Sequence, residues 1–353
     1  MKRIETNDNI LNRTECTIMR GFAIMAIASN NFGTWIKGVI PDNEFIYDYS
    51  RLEAFMSSLV HPGKLFLLDL LAFYSPFGVM LFVFLSGYGL TLKYEKGNTV
   101  PSKKFVAEHY RKLFLMQLKG LALFLTIILV FDTDRIIYFR HLLGQIFMVE
   151  NLNPVNPKLI AAPYWFFCMI MEIYIIYRYF LYRKPSWMIS LVVITSLVVM
   201  AFFQPDGEII YYLRYNFFMA LLPFGIGIMM ARYGHRLNFA FDTNTKCVMI
   251  FVIGLILLSL CKFNFYSWLI MPLFIICVSI PLAKLLFKFS FMSKLFGWLG
   301  SYSGVIFIVH PIFREVLIER TNISGNYYGM LLVYLFLTIS LSIILSPLFA
   351  SKR

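Results

Sequence analysis

The amino-acid sequence predicts an all-α polytopic membrane protein, and three features of composition and patterning lead to this fold class. Hydrophobic residues fill 59% of the 353 positions, and the mean hydropathy is +0.71. Charged residues make up only 14%, against roughly 25% in an ordinary soluble domain. Apolar runs long enough to cross a bilayer recur along the whole chain. This excludes a soluble globular protein and a disordered chain, and we expect residues 1–353 to form one membrane-embedded domain.

The predicted helices follow from the length of the apolar runs. A bilayer core of about 30 Å is crossed by roughly 20 apolar residues in a helix. The sequence therefore predicts about ten transmembrane helices, near residues 17–35, 71–92, 113–131, 164–182, 186–203, 213–231, 246–261, 265–283, 298–317 and 327–349.

The distribution of positive charge orients these helices. If the N-terminus is cytoplasmic, the inner segments carry about twice as many Lys and Arg residues as the outer ones, and such a bias sets membrane topology. Both termini are therefore predicted to be cytoplasmic. The net charge of +13 then reflects topology, so we expect membrane lipids and no nucleic acid as partners.

Two predicted outer segments, residues 36–70 and 132–163, are long for simple connections. The second contains an apolar stretch at 141–149 that predicts an interfacial or re-entrant helix. The chain also holds five cysteines at unrelated spacings, Cys16, Cys168, Cys247, Cys261 and Cys277. These spacings predict neither a disulfide framework nor a zinc site, and we expect no bound metal.

Polar side chains at membrane depth are candidate functional residues, because burying them in lipid is costly. Arg20 begins the first predicted span, and Asn30 and Asn31 lie near its outer end. Glu172 lies in the middle of the fourth span, and His310 lies in the ninth. Each also has a structural interpretation: an anchor at the membrane surface for Arg20, a packed histidine for His310, and contacts between helices for the others.

A basic segment precedes the third predicted span. It contains six cations in twenty residues: Lys93, Lys96, Lys103, Lys104, Arg111 and Lys112. This density fits the positive-inside signal alone, and it also fits a cytoplasmic patch that binds a phosphorylated cofactor or anionic headgroups.

Five motifs, in order along the chain, resemble those of the integral-membrane acyltransferase family (the acyltransferase-3 group). They are RGFAIMAIASNN at 20–31, GVMLFVFLSGY at 78–88, YRKL at 110–113, YWFF at 164–167 followed by Tyr174, and LGSYSGVIFIVHP at 299–311. The resemblance covers essentially the whole chain. It implies a bacterial inner-membrane enzyme that transfers an acyl group, usually acetyl, from cytoplasmic acyl-CoA to a hydroxyl of an extracytoplasmic glycan or lipid-linked sugar.

The resemblance also implies roles for individual residues. Arg20, Arg111 and Lys112 are the expected donor-binding cations, with acetyl-CoA as a co-substrate and no permanently bound cofactor. The family carries a histidine in its first span as the presumed base, and Asn30 or Asn31 stands there in this sequence. An amide cannot accept a proton from a hydroxyl, but it can orient an acceptor or donate a hydrogen bond to an oxyanion.

Three interpretations follow from this departure. In the first, His310, or Glu172 with a raised pKa, serves as the base of a working acyltransferase. In the second, the protein is a catalytically degenerate member that binds or transports a glycan or lipid intermediate. In the third, the enzyme uses another acyl donor or water-assisted chemistry.

Overall fold

The computed structural model describes residues 9–40, 45–74, 78–97, 99–131, 139–153 and 162–349. Within these ranges the chain forms helices and turns but no strand. The α-helices, in order, are α1 Arg13–Gly33, α2 Tyr49–Val60, α3 Phe66–Tyr74, α4 Gly78–Tyr94, α5 Ser102–Val130, α6 Phe139–Ile146, α7 Trp165–Ile176, α8 Ser186–Ala201, α9 Glu208–Tyr215, α10 Phe217–Tyr233, α11 Asn244–Leu260, α12 Phe265–Leu269, α13 Met271–Lys288, α14 Ser290–Ser324 and α15 Tyr327–Phe349.

Seven helical segments in the described part of the chain are long and apolar enough to cross a membrane. They are Phe66–Tyr94, which includes the undescribed residues 75–77, Ser102–Val130, Phe217–Phe241, Asn244–Phe263, Met271–Lys288, Ser290–Ser324 and Tyr327–Phe349. The helical class with several membrane-length helices is therefore confirmed. The total of about ten spans and the cytoplasmic placement of both termini stay predictions.

The other three predicted spans also coincide with helices. The stretch 186–203 corresponds to α8, which is apolar but shorter than a full span. The stretch 164–182 corresponds to α7, whose last turn widens into a π-helix over Tyr177–Leu181. The stretch 17–35 corresponds to α1, which is less apolar than the seven because it carries charged and amide side chains.

Two helices extend well beyond their predicted apolar stretches. Helix α5 begins at Ser102, eleven residues before position 113, because a polar segment that still buries Phe105 continues the helix. Helix α14 has 35 residues, which is about 52 Å at 1.5 Å per residue. It therefore exceeds the bilayer core of about 30 Å, and hydropathy detected only its central part.

The long outer segments contain short helices. Helix α2 lies in the first of them, and α6 forms where the stretch 141–149 predicted a helix. The presence of a helix is confirmed, and its interfacial or re-entrant position stays a prediction.

Helix α1 lies at the centre of the bundle, where it packs against α14, α4, α13 and α3. Its start is fixed by a capping box: Asn12 Oδ1 accepts from Glu15 N–H at 2.8 Å, and Glu15 Oε2 accepts from Asn12 N–H at 2.8 Å. Glycines allow the backbones of α1 and α14 to touch. A Cβ on Gly300 would overlap the carbonyl of Thr17, and one on Gly21 would overlap that of Phe296.

Candidate functional site

A cavity of about 280 Å³ lies among α1, α4, α5, α7 and α14. Each of these five helices carries one of the motifs noted in the sequence. The volume is just below the range of roughly 300–1,000 Å³ that is typical of small-molecule sites. The cavity is therefore large enough for a slender group but too small for a whole nucleotide cofactor.

One end of the cavity is polar and basic. Arg20 and Lys112 line it and are exposed to solvent. The hydroxyl groups of Ser86, Tyr174 and Ser303 also line it, and Tyr174 Oη donates to Ser86 Oγ at 3.4 Å. We call this region, defined by Arg20, Lys112, Ser86, Tyr174 and Ser303, the basic end.

The structure thus brings two of the three expected donor-binding cations together. Arg111 is exposed on α5 beside Lys112 but is not part of the cavity lining. Neighbouring residues on a helix point about 100° apart, and Lys112 is the member of this pair that faces the cavity.

The other end of the cavity is apolar, and we call it the aromatic end. It is formed by Phe166, Phe167, Phe307 and Ile27. The Phe307 ring centroid lies 5.2 Å from that of Phe166 and 5.9 Å from that of Phe167. Ile27 follows Arg20 by seven residues, or roughly 10 Å along α1, which separates the two ends.

Beyond the aromatic end, the faces of α14 and α1 that line the cavity carry further polar residues. On α14, Ser303 and Phe307 are followed at intervals of three and four residues by His310 and Arg314, which places all four on one face. On α1, Ile27 is followed four residues later by Asn31. The two faces meet there, since Arg314 Nη1 donates to Asn31 Oδ1 at 2.9 Å.

His310 is completely buried and is not part of the cavity lining. Its Nδ1 lies 3.2 Å from the carbonyl oxygen of Ile306, and its Nε2 has no hydrogen-bond partner among the described residues. A carbonyl oxygen only accepts, so Nδ1 carries the proton and Nε2 of the neutral ring holds a lone pair. The ring of Phe307, which does line the cavity, has its centroid 5.6 Å from that of the imidazole.

The two asparagines of α1 have different surroundings. Asn31 belongs to the network of Arg314, whose buried guanidinium also pairs with Glu315 and lies 4.8 Å from the ring centroid of Trp35. Asn30 Oδ1 is buried and has no partner within the described part of the chain. Asn31 therefore fixes α1 to α14, while Asn30 keeps an unused acceptor.

Glu172 lies away from the cavity and stabilises a helix terminus. Ile170 and Tyr174 line the cavity, and Glu172, two residues from each, projects to the opposite side of α7. Its Oε2 accepts at 2.9 Å from the N–H of Phe217, the first residue of α10. The chain is extended at Asn216, between α9 and α10, where the sequence predicted one continuous span over 213–231. A carboxylate at this N-terminus is favoured by the helix dipole.

Sequence analysis missed a buried polar network near the aromatic end. Gln117 Nε2 donates to the carbonyl of Gln145, Gln145 Nε2 donates to that of Tyr164 at 3.2 Å, and Tyr164 Oη donates to that of Ile308 at 3.0 Å. On α6, one turn before Gln145, His141 Nδ1 lies 2.7 Å from the carboxylate of Glu150. These residues come from separate apolar stretches, so no local spacing signals that they meet.

Among the described residues, no group of three or more His, Cys, Asp or Glu side chains is placed to hold a metal ion. The five cysteines are all free thiols.

Fold and site together define an integral membrane protein with a small cavity that is basic at one end and apolar at the other. The chain belongs to the acyltransferase family that its motifs resemble: a family model described as an acyltransferase domain matches residues 15–350, nearly the whole length. No curated protein matches the chain, and no solved structure does.

Proposed function

We propose that this protein is a membrane O-acyltransferase of the bacterial inner membrane. It moves an acyl group, in the first instance acetyl, from cytoplasmic acyl-CoA to a hydroxyl of an extracytoplasmic glycan or lipid-linked sugar. Membership in the family supports acyl transfer by a membrane protein in general. The donor, the acyl group and the acceptor are the proposed part.

The observation that carries the proposal is the cavity with its basic end. Arg20 and Lys112 are exposed at a cavity of about 280 Å³, where they offer charge-assisted hydrogen bonds to phosphate groups. The cavity is too small for the nucleotide but suits a linear acyl-bearing arm. An acyl-CoA bound in this way keeps its phosphates in solvent and points its thioester toward the aromatic end.

His310 is the proposed general base. Its Nε2 accepts the proton of the acceptor hydroxyl while the hydroxyl oxygen forms a bond to the acyl carbonyl carbon. The carbon–sulfur bond then breaks, and the thiolate that leaves takes up the proton to give free CoA. A neutral imidazole with a lone pair on Nε2 is required for this step, and the contact of Nδ1 with the carbonyl oxygen of Ile306 leaves Nε2 as that atom.

The amides of α1 and the Arg314 guanidinium have supporting roles in this mechanism. Asn31 holds Arg314 one turn beyond His310, where its positive charge favours the negative charge that develops on the acyl oxygen. Asn30, with its unused Oδ1, accepts a hydrogen bond from the acceptor. Glu172, which lies on the far side of α7, has no part in the proton transfer.

A second candidate function is a catalytically degenerate member that binds or transports a glycan or lipid intermediate. The aromatic end favours it, because the cavity lining includes Phe307 but does not include the fully buried His310. In that case the cavity still binds a ligand, but no acyl group reaches a base.

The experiment that separates these functions is acetyl-CoA binding and hydrolysis by the purified protein in lipid nanodiscs, with His310→Ala beside the wild type. We expect binding by both proteins and a loss of hydrolysis of at least about 100-fold in the variant, as for other general bases. His235→Ala, at an exposed position, is the control. Binding without hydrolysis by the wild type would favour the degenerate member, and no binding at all would refute the donor site.

A further inference from the structure

The aromatic end of the cavity contains a feature that the proposed function does not use. Phe307 lines the cavity, and the centroid of its ring lies 5.6 Å from that of the His310 imidazole. His310 itself is fully buried and outside the lining. The Phe307 ring therefore stands where the end of a bound acyl group has to meet the proposed base.

The surroundings of Phe307 leave its ring little freedom. Phe166 and Phe167 pack against it from α7, with ring centroids at 5.2 and 5.9 Å. One turn before it, Gly304 faces Met116 of α5, whose Cε lies 3.0 Å from the position of an added Cβ. Phe307 thus packs with two phenyl rings of α7 at this end, and an acyl chain longer than the space before the three rings would meet a packed wall.

We propose that Phe307 is a specificity-determining residue that restricts the acyl donor to short chains, such as acetyl. This inference rests on the proposed acyl-CoA site and adds the class of acyl group that it accepts. The thioester carbonyl lies next to Phe307, and the acyl methyl group occupies the remaining space. A small movement of the ring exposes His310 to the carbonyl, whereas accommodating further methylene groups requires the ring to leave its packing.

The experiment measures the affinity of acetyl-CoA and butyryl-CoA for the protein in nanodiscs, by competition with a labelled CoA. In the wild type, butyryl-CoA should bind no more tightly than acetyl-CoA. In Phe307→Ala, the two extra methylene groups enter the vacated space. Each buried methylene contributes roughly fourfold in affinity, so for two methylene groups we expect butyryl-CoA to gain about 15-fold over acetyl-CoA.

The matched control is Phe124→Ala, which removes another buried phenyl ring, from α5 outside the cavity lining. It should leave the ratio of the two affinities unchanged. If Phe307→Ala does not fold, Phe307→Leu retains part of the packing and should shift the ratio in the same direction by a smaller factor.

The outcomes are read from binding affinities rather than from turnover, and they distinguish a failure of this inference from a failure of the proposed function. An unchanged ratio in both Phe307 variants, with acetyl-CoA still bound, overturns the inference and leaves the proposed function intact. An equal shift in Phe124→Ala also overturns it, because the effect would then be a general loosening of the bundle. A wild-type protein that binds neither thioester refutes the proposed function, and this inference with it.

Discussion

The two ends of the cavity differ in almost every physical property. The two cations of the basic end, Arg20 and Lys112, are exposed, and the side chains of this end come from helices with few direct bonds to one another. The region beyond the aromatic end is buried and fixed by hydrogen bonds, with Arg314 joining α14 to Asn31 of α1. The first arrangement suits a mobile, charged ligand in solvent, and the second suits a reaction that requires fixed geometry and the exclusion of water.

This difference predicts how the two regions respond to mutation. Exposed cations contribute little to folding, because water solvates them equally well in the unfolded chain. Buried charges with several partners affect folding strongly when one partner is lost. Changes at the basic end should therefore alter ligand affinity alone, and changes beyond the aromatic end should alter stability first.

The largest expected effect is on Arg314. Arg314→Met removes a buried cation that bonds to Asn31, pairs with Glu315 and packs on Trp35. We expect a loss of about 3 kcal/mol in the free energy of unfolding, as for other broken buried pairs. The measurement is denaturant or thermal unfolding in detergent. The control is Arg320→Met, at an exposed site on the same helix, which should change stability little. Equal losses of stability in the two variants would contradict the expected difference between buried and exposed charges.

An intermediate effect is expected at the basic end. Arg20→Ala and Lys112→Ala should each weaken acetyl-CoA binding about tenfold, or roughly 1.4 kcal/mol, the scale of a hydrogen bond to a charged group. Arg111→Ala should have a smaller effect, since Arg111 is outside the cavity lining. The measurement is isothermal titration in nanodiscs at two salt concentrations.

Lys294→Ala, at an exposed position of α14, is the control for net charge in that titration. If Arg111→Ala or Lys294→Ala weakens binding as much as Lys112→Ala, the cations act as a diffuse basic surface rather than through the cavity.

The fold could be predicted where it depends on local patterns. Each of the ten apolar stretches contains a helix, because about 20 consecutive apolar residues have one stable backbone arrangement in lipid. The stretches 213–231 and 265–283, each predicted as one continuous span, are divided between α9 and α10 and between α12 and α13. The separation of Arg20 from Asn31 and the alignment of His310 with Arg314 also follow from helical spacing alone. These short-range features correctly placed the polar residues along α1 and α14.

The site could not be predicted where it depends on which helices contact one another, because local patterns in a single sequence do not contain that information. Lys112 and Arg111 are adjacent cations that the sequence does not distinguish, and only the packing of α5 turns Lys112 toward the cavity. Gln117 and Gln145 are buried partners from different helices, 28 residues apart. Glu172 was a candidate base because of its depth, but depth does not reveal that a break at Asn216 presents a helix terminus to it.

The smallest expected effect is that of Glu172→Gln, which extends the comparison to the opposite side of α7. Glu172→Gln keeps an oxygen for the N–H of Phe217 and loses only the charge at the N-terminus of α10, so unfolding should become easier by about 0.5 kcal/mol. Glu172→Leu leaves that N–H without its acceptor and should cost about 2 kcal/mol. Acetyl-CoA hydrolysis, corrected for the folded fraction, should be the same in both variants. A loss of hydrolysis in Glu172→Gln far beyond its loss of stability would return Glu172 to the proton transfer.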